Sequence, residues 1–264
     1  MKRGIEERYK GSFLGIVWSI AQPLMMLAVY TFVFSTVLKA KTMLGGAGDS
    51  IPFSLFLLCG MAVFGIFSES VNASCTTIIC NQNLVKKVVF PLEVLPASKV
   101  FSTIALNLIW FVLLFLGMLV FVHQLHWTML LLPLILLPLS LMTLGFSFMA
   151  ASLSVYIRDC QYLIGVLLQV MFFMSPVFYS LQNIPDKPVF GDVERLSCIT
   201  FRSVLQLNPL ATLIDLTRKF FLVGELPSAQ EWCALGWIML FSLIVCHLGI
   251  VWFAKTKKGF ADVL

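Results

Sequence analysis

The chain has 264 residues, of which 59% are hydrophobic and only 12% are charged, whereas an ordinary soluble domain carries about 25% charged residues. This balance excludes an ordinary water-soluble enzyme and predicts a single membrane domain over residues 1–264. The formal net charge is +5. However, the basic residues stand at the ends of apolar runs, so they indicate topology rather than nucleic-acid binding.

Several apolar runs are long enough to cross a bilayer, which requires about 20 residues of helix. They cover residues 13–38, 52–75, 97–122, 128–155, 162–180 and 232–254. The sequence therefore predicts an all-α membrane protein with about six transmembrane helices.

The lysines and arginines of the short connections set the orientation. If the N-terminus is cytoplasmic, the inner segments hold Lys2, Arg3, Arg8, Lys10, Lys86, Lys87, Arg158, Lys255, Lys257 and Lys258. The short outer loops then hold only Lys39 and Lys41. We therefore predict that both termini are cytoplasmic. The N-terminus is not expected to be a signal peptide, because Glu6 and Glu7 interrupt its basic region.

Residues 1–12 have the pattern of a short amphipathic helix on the inner leaflet. Ile5, Tyr9 and Phe13 share one helical face, while most charged side chains lie elsewhere, and Gly11 is a hinge into the first span. A frayed basic tail is the alternative.

The segment NQNLVKKVVFPLEVLP, residues 81–96, separates the second and third apolar runs on the predicted cytoplasmic side. A helix over residues 82–90 would group its aliphatic side chains on one face and Lys86 and Lys87 on the other, and Pro91 would end it. Such a helix is suited to docking another protein. The alternative is that the lysines only anchor the loop at the inner surface.

The outer segment 182–231 is unusually long for a connection between spans. Its second half, NPLATLIDLTRKFFL, has Asn208 as an N-cap and Pro209 at the first helical position. One helical face carries Leu210, Leu213, Ile214, Thr217, Phe220 and Phe221, and the other carries Asp215, Arg218 and Lys219. We predict re-entrant or interfacial helices at the outer surface; an ordinary extracellular loop is the alternative.

Motifs for chemistry are sparse. No G-x-x-x-x-G-K-[ST] motif is present, so the chain is not expected to bind ATP by that route. His123 and His126 have no nearby carboxylate or cysteine, so interfacial hydrogen bonding is favoured over a metal site. The cysteines lack paired spacing and are expected to be buried, inert thiols. We therefore predict no enzyme, metal site or cofactor in this chain.

The inner part of the second apolar run, GIFSESVNASCTT, is polar and contains Glu69 and Asn72. A polar face turned to lipid would be costly, so this half-helix should face a water-filled cavity or a partner subunit. Burial against helices of the same chain is the alternative. The 24 Phe, 6 Trp and 5 Tyr also permit a pathway in which sugar rings slide over aromatic faces. The channel candidates are Glu69, Asn72, Tyr30 and Phe34.

The order of several segments carries a family resemblance. They are ERYKGSFLGIVWSIAQPLMMLAVYTFVFS, NLVKKVVFPLEVLPAS, VYIRDCQYL, MFFMSPVFY and LNPLATLIDLTRKFF. Together they resemble the membrane subunits of ABC exporters that move lipid-linked polysaccharides, such as O-antigen, capsule and teichoic-acid systems. The resemblance covers nearly the whole chain. It implies an inner-membrane homodimer that exports such a glycan, with O-antigen as the expected cargo.

The resemblance also implies that each permease docks a separate nucleotide-binding subunit, which carries the ATP and Mg. Docking would use a coupling helix over residues 83–93. The expected contacts are Lys86, Lys87, Phe90, Pro91 and Glu93. In the second inner loop, Arg158 and Asp159 either add a lesser contact or only anchor the topology.

Two further elements follow from the resemblance. The N-terminal helix, with Arg8, Tyr9 and Lys10, looks like the interface helix that flanks the cytoplasmic entrance. The segment around 208–221 looks like the re-entrant outer gate, with Asn208, Pro209, Phe220 and Phe221 as gate residues.

Other functions stay open on the sequence alone. An ABC exporter of another lipid, drug or oligosaccharide would share the same plan of spans. A stand-alone channel or secondary transporter would need charge pairs near the midplane or an inverted repeat, and neither is clear. A membrane-embedded enzyme would need a catalytic constellation that the isolated histidines do not supply.

Overall fold

The computed structural model describes residues 17–37, 52–82, 91–157, 159–180, 205 and 207–263. The helices are α1 (Trp18–Thr31), α2 (Phe53–Thr77), α3 (Val94–Gly117), α4 (Leu132–Tyr156), α5 (Cys160–Met174), α6 (Pro209–Arg218), α7 (Ala229–Thr256) and α8 (Phe260–Val263). No strand occurs within the described residues. The prediction of an all-α protein is therefore confirmed for this part of the chain.

Among the described residues, four helices, counted with their flanking turns, are long and apolar enough to cross a membrane. They are Phe53–Asn81, Val94–Val122, Trp127–Tyr156 and Ala229–Gly259. Helix α5 is apolar but has only 15 residues, and the first predicted run is described only in part. Several spans are thus present, while six spans and cytoplasmic termini stay predictions.

The bundle is organised around α2. In the most apolar stretch of α2, 78% of the residues are buried. The corresponding share is 28% for α3 and for α7 and 39% for α4. The side chains of α2 pack against those of α3, α4, α5 and α6 in the main core. The other long helices expose large apolar side chains such as Val112, Leu153 and Trp237. In a membrane protein these surfaces face lipid or another subunit.

Helices α4 and α7 approach each other closely through two glycines. A Cβ atom built on Gly145 would lie 2.5 Å from the carbonyl oxygen of Val245, and one built on Gly249 would lie 2.8 Å from the Cα of Gly145. Small residues permit such backbone contact between membrane helices. At one end of the pair, the Tyr156 hydroxyl donates to the carbonyl of Thr256 at 2.7 Å. This crossing fixes α7 to the bundle.

We expect Gly145→Ala to destabilise the protein. Overpacking at a closed contact costs about 2 kcal/mol, and the better helix propensity of alanine offsets about 1 kcal/mol of this. The net loss of about 1 kcal/mol would be measured by thermal unfolding in detergent. The matched control is Gly236→Ala in α7, where a Cβ has nothing within 4 Å. Equal stability of the two variants would contradict the close crossing.

Three described helices end in a π-helical turn. Phe32–Val37 follows α1, Met118–Val122 follows α3, and Lys219–Val223 follows α6. The last turn is closed by Gly224, which has a φ of +79° and lies against the ring of His126. In the predicted topology all three turns lie at the outer end of the bundle. π-turns are frequent at functional sites.

The cysteines differ in part from the expectation. Cys59, Cys75 and Cys160 are buried, as predicted, but Cys80 and Cys233 are exposed. The prediction of uniformly buried thiols is therefore wrong. Apolar runs in a membrane helix bundle also supply its outer surface, so an apolar sequence context does not imply burial within the protein.

Candidate functional site

A cavity of about 320 Å³ opens between α1, α2 and α5. Its lining combines aromatic and polar side chains: Tyr30, Phe64, Phe172 and Phe173 with Ser68, Glu69, Asn72 and Gln169. Three predicted channel residues, Tyr30, Glu69 and Asn72, therefore line one cavity. The fourth, Phe34, lies in the π-turn after α1, and its side chain is outside the described part of the structure.

A second cavity of about 200 Å³ lies between α2 and α3. Glu69 and Asn72 line this cavity as well, and they are joined by Lys99, Ser102 and Thr103. The polar half of α2 therefore borders cavities shared with neighbouring helices. This is the arrangement that polar side chains at membrane depth require.

Asn107 connects α3 to this polar region. Its side chain is 2% exposed, and its Nδ2 donates to Glu69 Oε2 at 3.4 Å and to the Thr103 carbonyl at 3.1 Å. Within the part of the chain that the structure describes, the Asn107 Oδ1 has no hydrogen-bond partner. Asn107 is not among the residues predicted from the sequence, because an isolated asparagine in an apolar run gives no signal of its partner across the bundle.

An aromatic cluster adjoins the 320 Å³ cavity, because its rings Tyr30, Phe172 and Phe173 also line that cavity. Phe178 is its centre, with ring centroids 5.3 Å from Tyr30, 5.0 Å from Phe172 and 6.0 Å from Phe173. The Tyr30 and Phe172 rings meet it nearly edge to face, which is a favoured aromatic geometry. Phe178 belongs to the turn after α5, so this turn packs against three of the rings that line the cavity.

Helix α6 begins where the sequence predicts. Asn208 is its N-cap, with its side chain accepting a hydrogen bond from the Leu210 amide at 3.0 Å, and Pro209 is the first residue. Asn208 Nδ2 also donates to Ser175 Oγ at 2.9 Å. The start of α6 is therefore fixed to the turn after α5.

The predicted apolar face of α6 is buried. Phe220 and Phe221, which follow the helix, are 0% and 3% exposed. The Phe220 carbonyl accepts a hydrogen bond from Thr128 at 2.7 Å, and the Phe221 ring lies 6.1 Å from Phe111. The predicted helix and its buried face are confirmed, whereas the gate role of these residues stays a prediction.

Arg218 departs from its predicted position on a polar face. Its side chain is only 2% exposed, and its guanidinium carbon lies 3.5 Å from the ring centroid of Phe56 in α2. The helical wheel is misleading here because the bundle covers α6 at Arg218 as well as along its apolar face, whereas Asp215 stays 38% exposed. Neighbouring Lys219 instead pairs with Glu231 at 2.7 Å.

At the opposite end of α2, residues at both ends of the predicted docking segment contact the end of α7 and the residues that follow it. Lys257 donates to Glu93, and this hydrogen bond holds the pKa of the Glu93 carboxyl below its ordinary value. Ile78, just before the segment, is buried in a cluster with Phe253 and Phe260, against which Leu92 also packs. The structure therefore gives Glu93 a partner within this chain.

We expect the Glu93–Lys257 pair to make stability depend on pH. Because the folded-state pKa of Glu93 is lowered, the contribution is present above its ordinary value of 4.5 and is lost as pH falls through the folded-state value. The melting-temperature difference between wild type and Glu93→Gln should therefore be largest at neutral pH and vanish in acid. Glu225→Gln, at an exposed position, is the control. A pH-independent difference would contradict the pair.

The remaining predicted docking and entrance residues divide into two groups. Pro91 is exposed beside Glu93, and Asp159 is exposed before α5. The others lie outside the described residues: Arg8, Tyr9, Lys10, Lys86, Lys87, Phe90 and Arg158.

A multi-pass helical bundle with polar cavities beside its central helix has the architecture of a membrane permease. Residues 1–222 match the family model for the ABC-2 type transporter. The chain belongs to this family of membrane transport proteins. It is therefore a permease component located in a membrane, consistent with the bacterial inner membrane, and its family implies a separate ATP-binding subunit.

Curated relatives match over almost the full chain. An O-antigen export system permease protein, RfbA, of Myxococcus xanthus is 30% identical over 269 residues, covering 99% of this chain and 92% of the relative. RfbA of Klebsiella pneumoniae is 29% identical with the same coverage. The polysialic acid transport protein KpsM of Escherichia coli is 24% identical, covering 97% of this chain and 92% of the relative.

Proposed function

We propose that this chain is the channel-forming subunit of an ATP-driven exporter that moves a lipid-linked polysaccharide, of the O-antigen kind, across the inner membrane. The observation that carries the proposal is the match along 99% of the chain to O-antigen export permeases. ATP and Mg are bound by the partner ATPase. Two permeases pair as a homodimer, and each docks one nucleotide-binding subunit.

The cavity chemistry supports a glycan as the transported group. Tyr30, Phe172 and Phe173 offer aromatic faces, while Glu69, Asn72 and Gln169 offer hydrogen-bonding groups. Aromatic rings contact the apolar face of a sugar, and amides and carboxylates bind its hydroxyl groups. A neutral or weakly charged polymer can pass over such a surface without being trapped.

The residue roles run from the cytoplasmic side of the membrane to the outer side. Arg8, Tyr9 and Lys10 flank the cytoplasmic entrance. Lys86, Lys87, Phe90, Pro91, Glu93, Arg158 and Asp159 transmit the movement of the ATPase. Glu69, Asn72, Tyr30 and Phe34 line the channel, and Asn208, Pro209, Phe220 and Phe221 belong to a re-entrant outer gate. ATP-driven closure of the partner subunits re-angles α2 and α3 through residues 83–93.

The test replaces Lys86, Lys87 and Phe90 together with alanine in a strain whose native copy is deleted. We expect surface polysaccharide to fall while the amount of permease in the membrane is kept. Purification in mild detergent should recover the ATPase with the wild-type chain and lose it with the variant. The control variant replaces Lys39 and Lys41, which the predicted topology places on the opposite side.

Two results would oppose the proposal. Normal surface polysaccharide in the triple-alanine variant would contradict the docking role of residues 83–93. A wild-type chain that purifies alone and without ATPase activity under several gentle conditions would contradict an ATP-driven exporter and favour a channel or ion-coupled carrier.

The similarity to KpsM supports capsule polysaccharide as a second candidate cargo. The deletion strain separates the two candidates, because the unexported polymer accumulates inside the cell. Chemical analysis of its sugar repeat and lipid end, compared with the O-antigen and the capsule of the same strain, identifies the cargo.

A further inference from the structure

Arg218 is a buried cation in the bundle, and its contacts join three separate elements. It is the last residue of α6, and its guanidinium lies over the ring of Phe56 in α2. The same group donates to the backbone of the turn after α5: Nη2 to the Val177 carbonyl at 2.8 Å and Nη1 to the Tyr179 carbonyl at 3.2 Å. Nη1 also contacts Asp215 at 3.2 Å.

These contacts depend on the planar shape of the guanidinium group as well as on its charge. Burying a cation is costly unless hydrogen bonds and an opposite charge compensate it. A planar guanidinium can donate sideways to carbonyls while its face stacks on an aromatic ring, which a lysine ammonium cannot do. The site therefore requires an arginine, and the surrounding structure holds its plane against Phe56.

The turn that Arg218 binds is itself in close contact with α2. A Cβ built on Gly60 would lie 3.0 Å from the Cα of Val177. The start of α6 is tied to the same turn through Asn208 and Ser175 at 2.9 Å. Both ends of α6 are thus fixed to the turn, and the turn and Arg218 are both fixed to the same part of α2.

Helix α2 continues without a break from this region to the predicted docking segment. Its 25 residues correspond to about 37 Å of helix. Phe56 and Gly60 lie near its first residues, and its last residues lead to Ile78 and the segment that precedes Pro91. A tilt of α2 at one end therefore displaces whatever is attached to the other end.

We infer that Arg218 is a positioning residue that fixes the α6 segment to α2, so that the outer gate moves together with the helix that receives the ATPase movement. This inference rests on the proposed function. In this arrangement α6 and the turn after α5 are carried by α2 and do not hinge independently. Loss of the Arg218 contacts would leave docking and ATP hydrolysis intact but uncouple them from the gate.

The experiment uses the permease with its ATPase partner in proteoliposomes and measures three quantities: ATP hydrolysis, polysaccharide export and the resting leak of a small fluorescent dye. For Arg218→Met we expect ATP hydrolysis near that of wild type. Export per ATP should fall at least about tenfold, which corresponds to about 1.4 kcal/mol of coupling. The dye should leak without ATP. Arg218→Lys should behave similarly, because it keeps the charge but loses the planar contacts.

The matched control is Lys219→Met, which removes the neighbouring cation without touching α2. Lys219 pairs with Glu231, so its loss should leave export per ATP and the leak unchanged. Equal effects of Lys219→Met and Arg218→Met would overturn the inference, because a general loss of charge would then explain both.

A second pair of variants decides the question if the Arg218 variants fail to insert. Phe56→Tyr keeps the aromatic face under the guanidinium, and Phe56→Leu removes it. We expect Phe56→Leu to leak and uncouple, and Phe56→Tyr to export normally. Normal coupling and no leak in Phe56→Leu would overturn the inference.

If the chain is not part of an ATP-driven exporter, the experiment gives a result that differs from the failure of the Arg218 inference. In that case the wild-type chain itself shows no partner-dependent ATP hydrolysis and no export. The leak comparison between wild type and Phe56→Leu then still decides whether Arg218 holds α6 closed against α2.

Discussion

Replacing Phe178 with alanine is expected to destabilise the protein by about 3–5 kcal/mol, which is the usual cost of deleting a buried phenylalanine side chain. Phe178 is 9% exposed and is the ring to which Tyr30, Phe172 and Phe173 all pack. Its removal would leave a void behind the three rings that line the 320 Å³ cavity. Thermal unfolding in detergent micelles, monitored by tryptophan fluorescence, measures the loss.

The control for this prediction is Phe173→Ala. Phe173 contacts Phe178 but is 59% exposed on the surface of α5, so its removal should cost less than about 1 kcal/mol. Similar losses for the two variants would show that Phe178 is not the centre of the cluster. A Phe178→Leu variant, which refills part of the void, should recover part of the stability.

Asn107→Leu is expected to destabilise the protein by about 1.5–3 kcal/mol, because it removes a hydrogen bond from a neutral amide to the Glu69 carboxylate. Asn107 is 2% exposed, so water does not replace its amide freely. Leu108→Ala, at a position that is 37% exposed, should have a much smaller effect. The measurement is again unfolding in detergent, with export followed in parallel.

A double-mutant cycle tests whether Glu69 and Asn107 act together. The single variants Glu69→Ala and Asn107→Leu, each of which removes the hydrogen bond, are compared with the double variant. We expect an interaction energy of about 1 kcal/mol, since residues in contact couple by 0.5–3 kcal/mol. Strictly additive losses would mean that the hydrogen bond contributes nothing to the packing of α2 on α3.

The sequence predicts those elements of the fold that depend on a single strong physical preference. The long apolar runs predicted the helices because backbone groups in lipid must be satisfied within a helix. Asn208 and Pro209 predicted the start of α6 because capping depends on adjacent residues. Helix ends in π-turns, such as Phe32–Val37, gave no comparable local signal.

Only part of the candidate site could be predicted from the sequence. Glu69 and Asn72 were identified because polar groups at membrane depth need a polar surrounding. Asn107, which bonds to Glu69, and Lys99, which lines the same cavity, come from α3. No local pattern connects two helices that meet only in the bundle. Arg218 was misplaced for the same reason, since a helical wheel contains no information about Phe56.

The central position of α2 has a consequence for how the protein is made. Among the four long helices, the Phe53–Asn81 span has the lowest mean hydropathy and the largest buried share. During synthesis α2 leaves the ribosome before α3, α4 and α5, which later pack against it, and α3 and α5 line the cavities beside its polar half. Unaccompanied in lipid it would expose Glu69 and its polar neighbours, at an energetic cost. Stable insertion of α2 should therefore depend on retention beside the translocon until α3 and α4 arrive, which makes biogenesis sensitive to substitutions that leave the finished bundle unchanged.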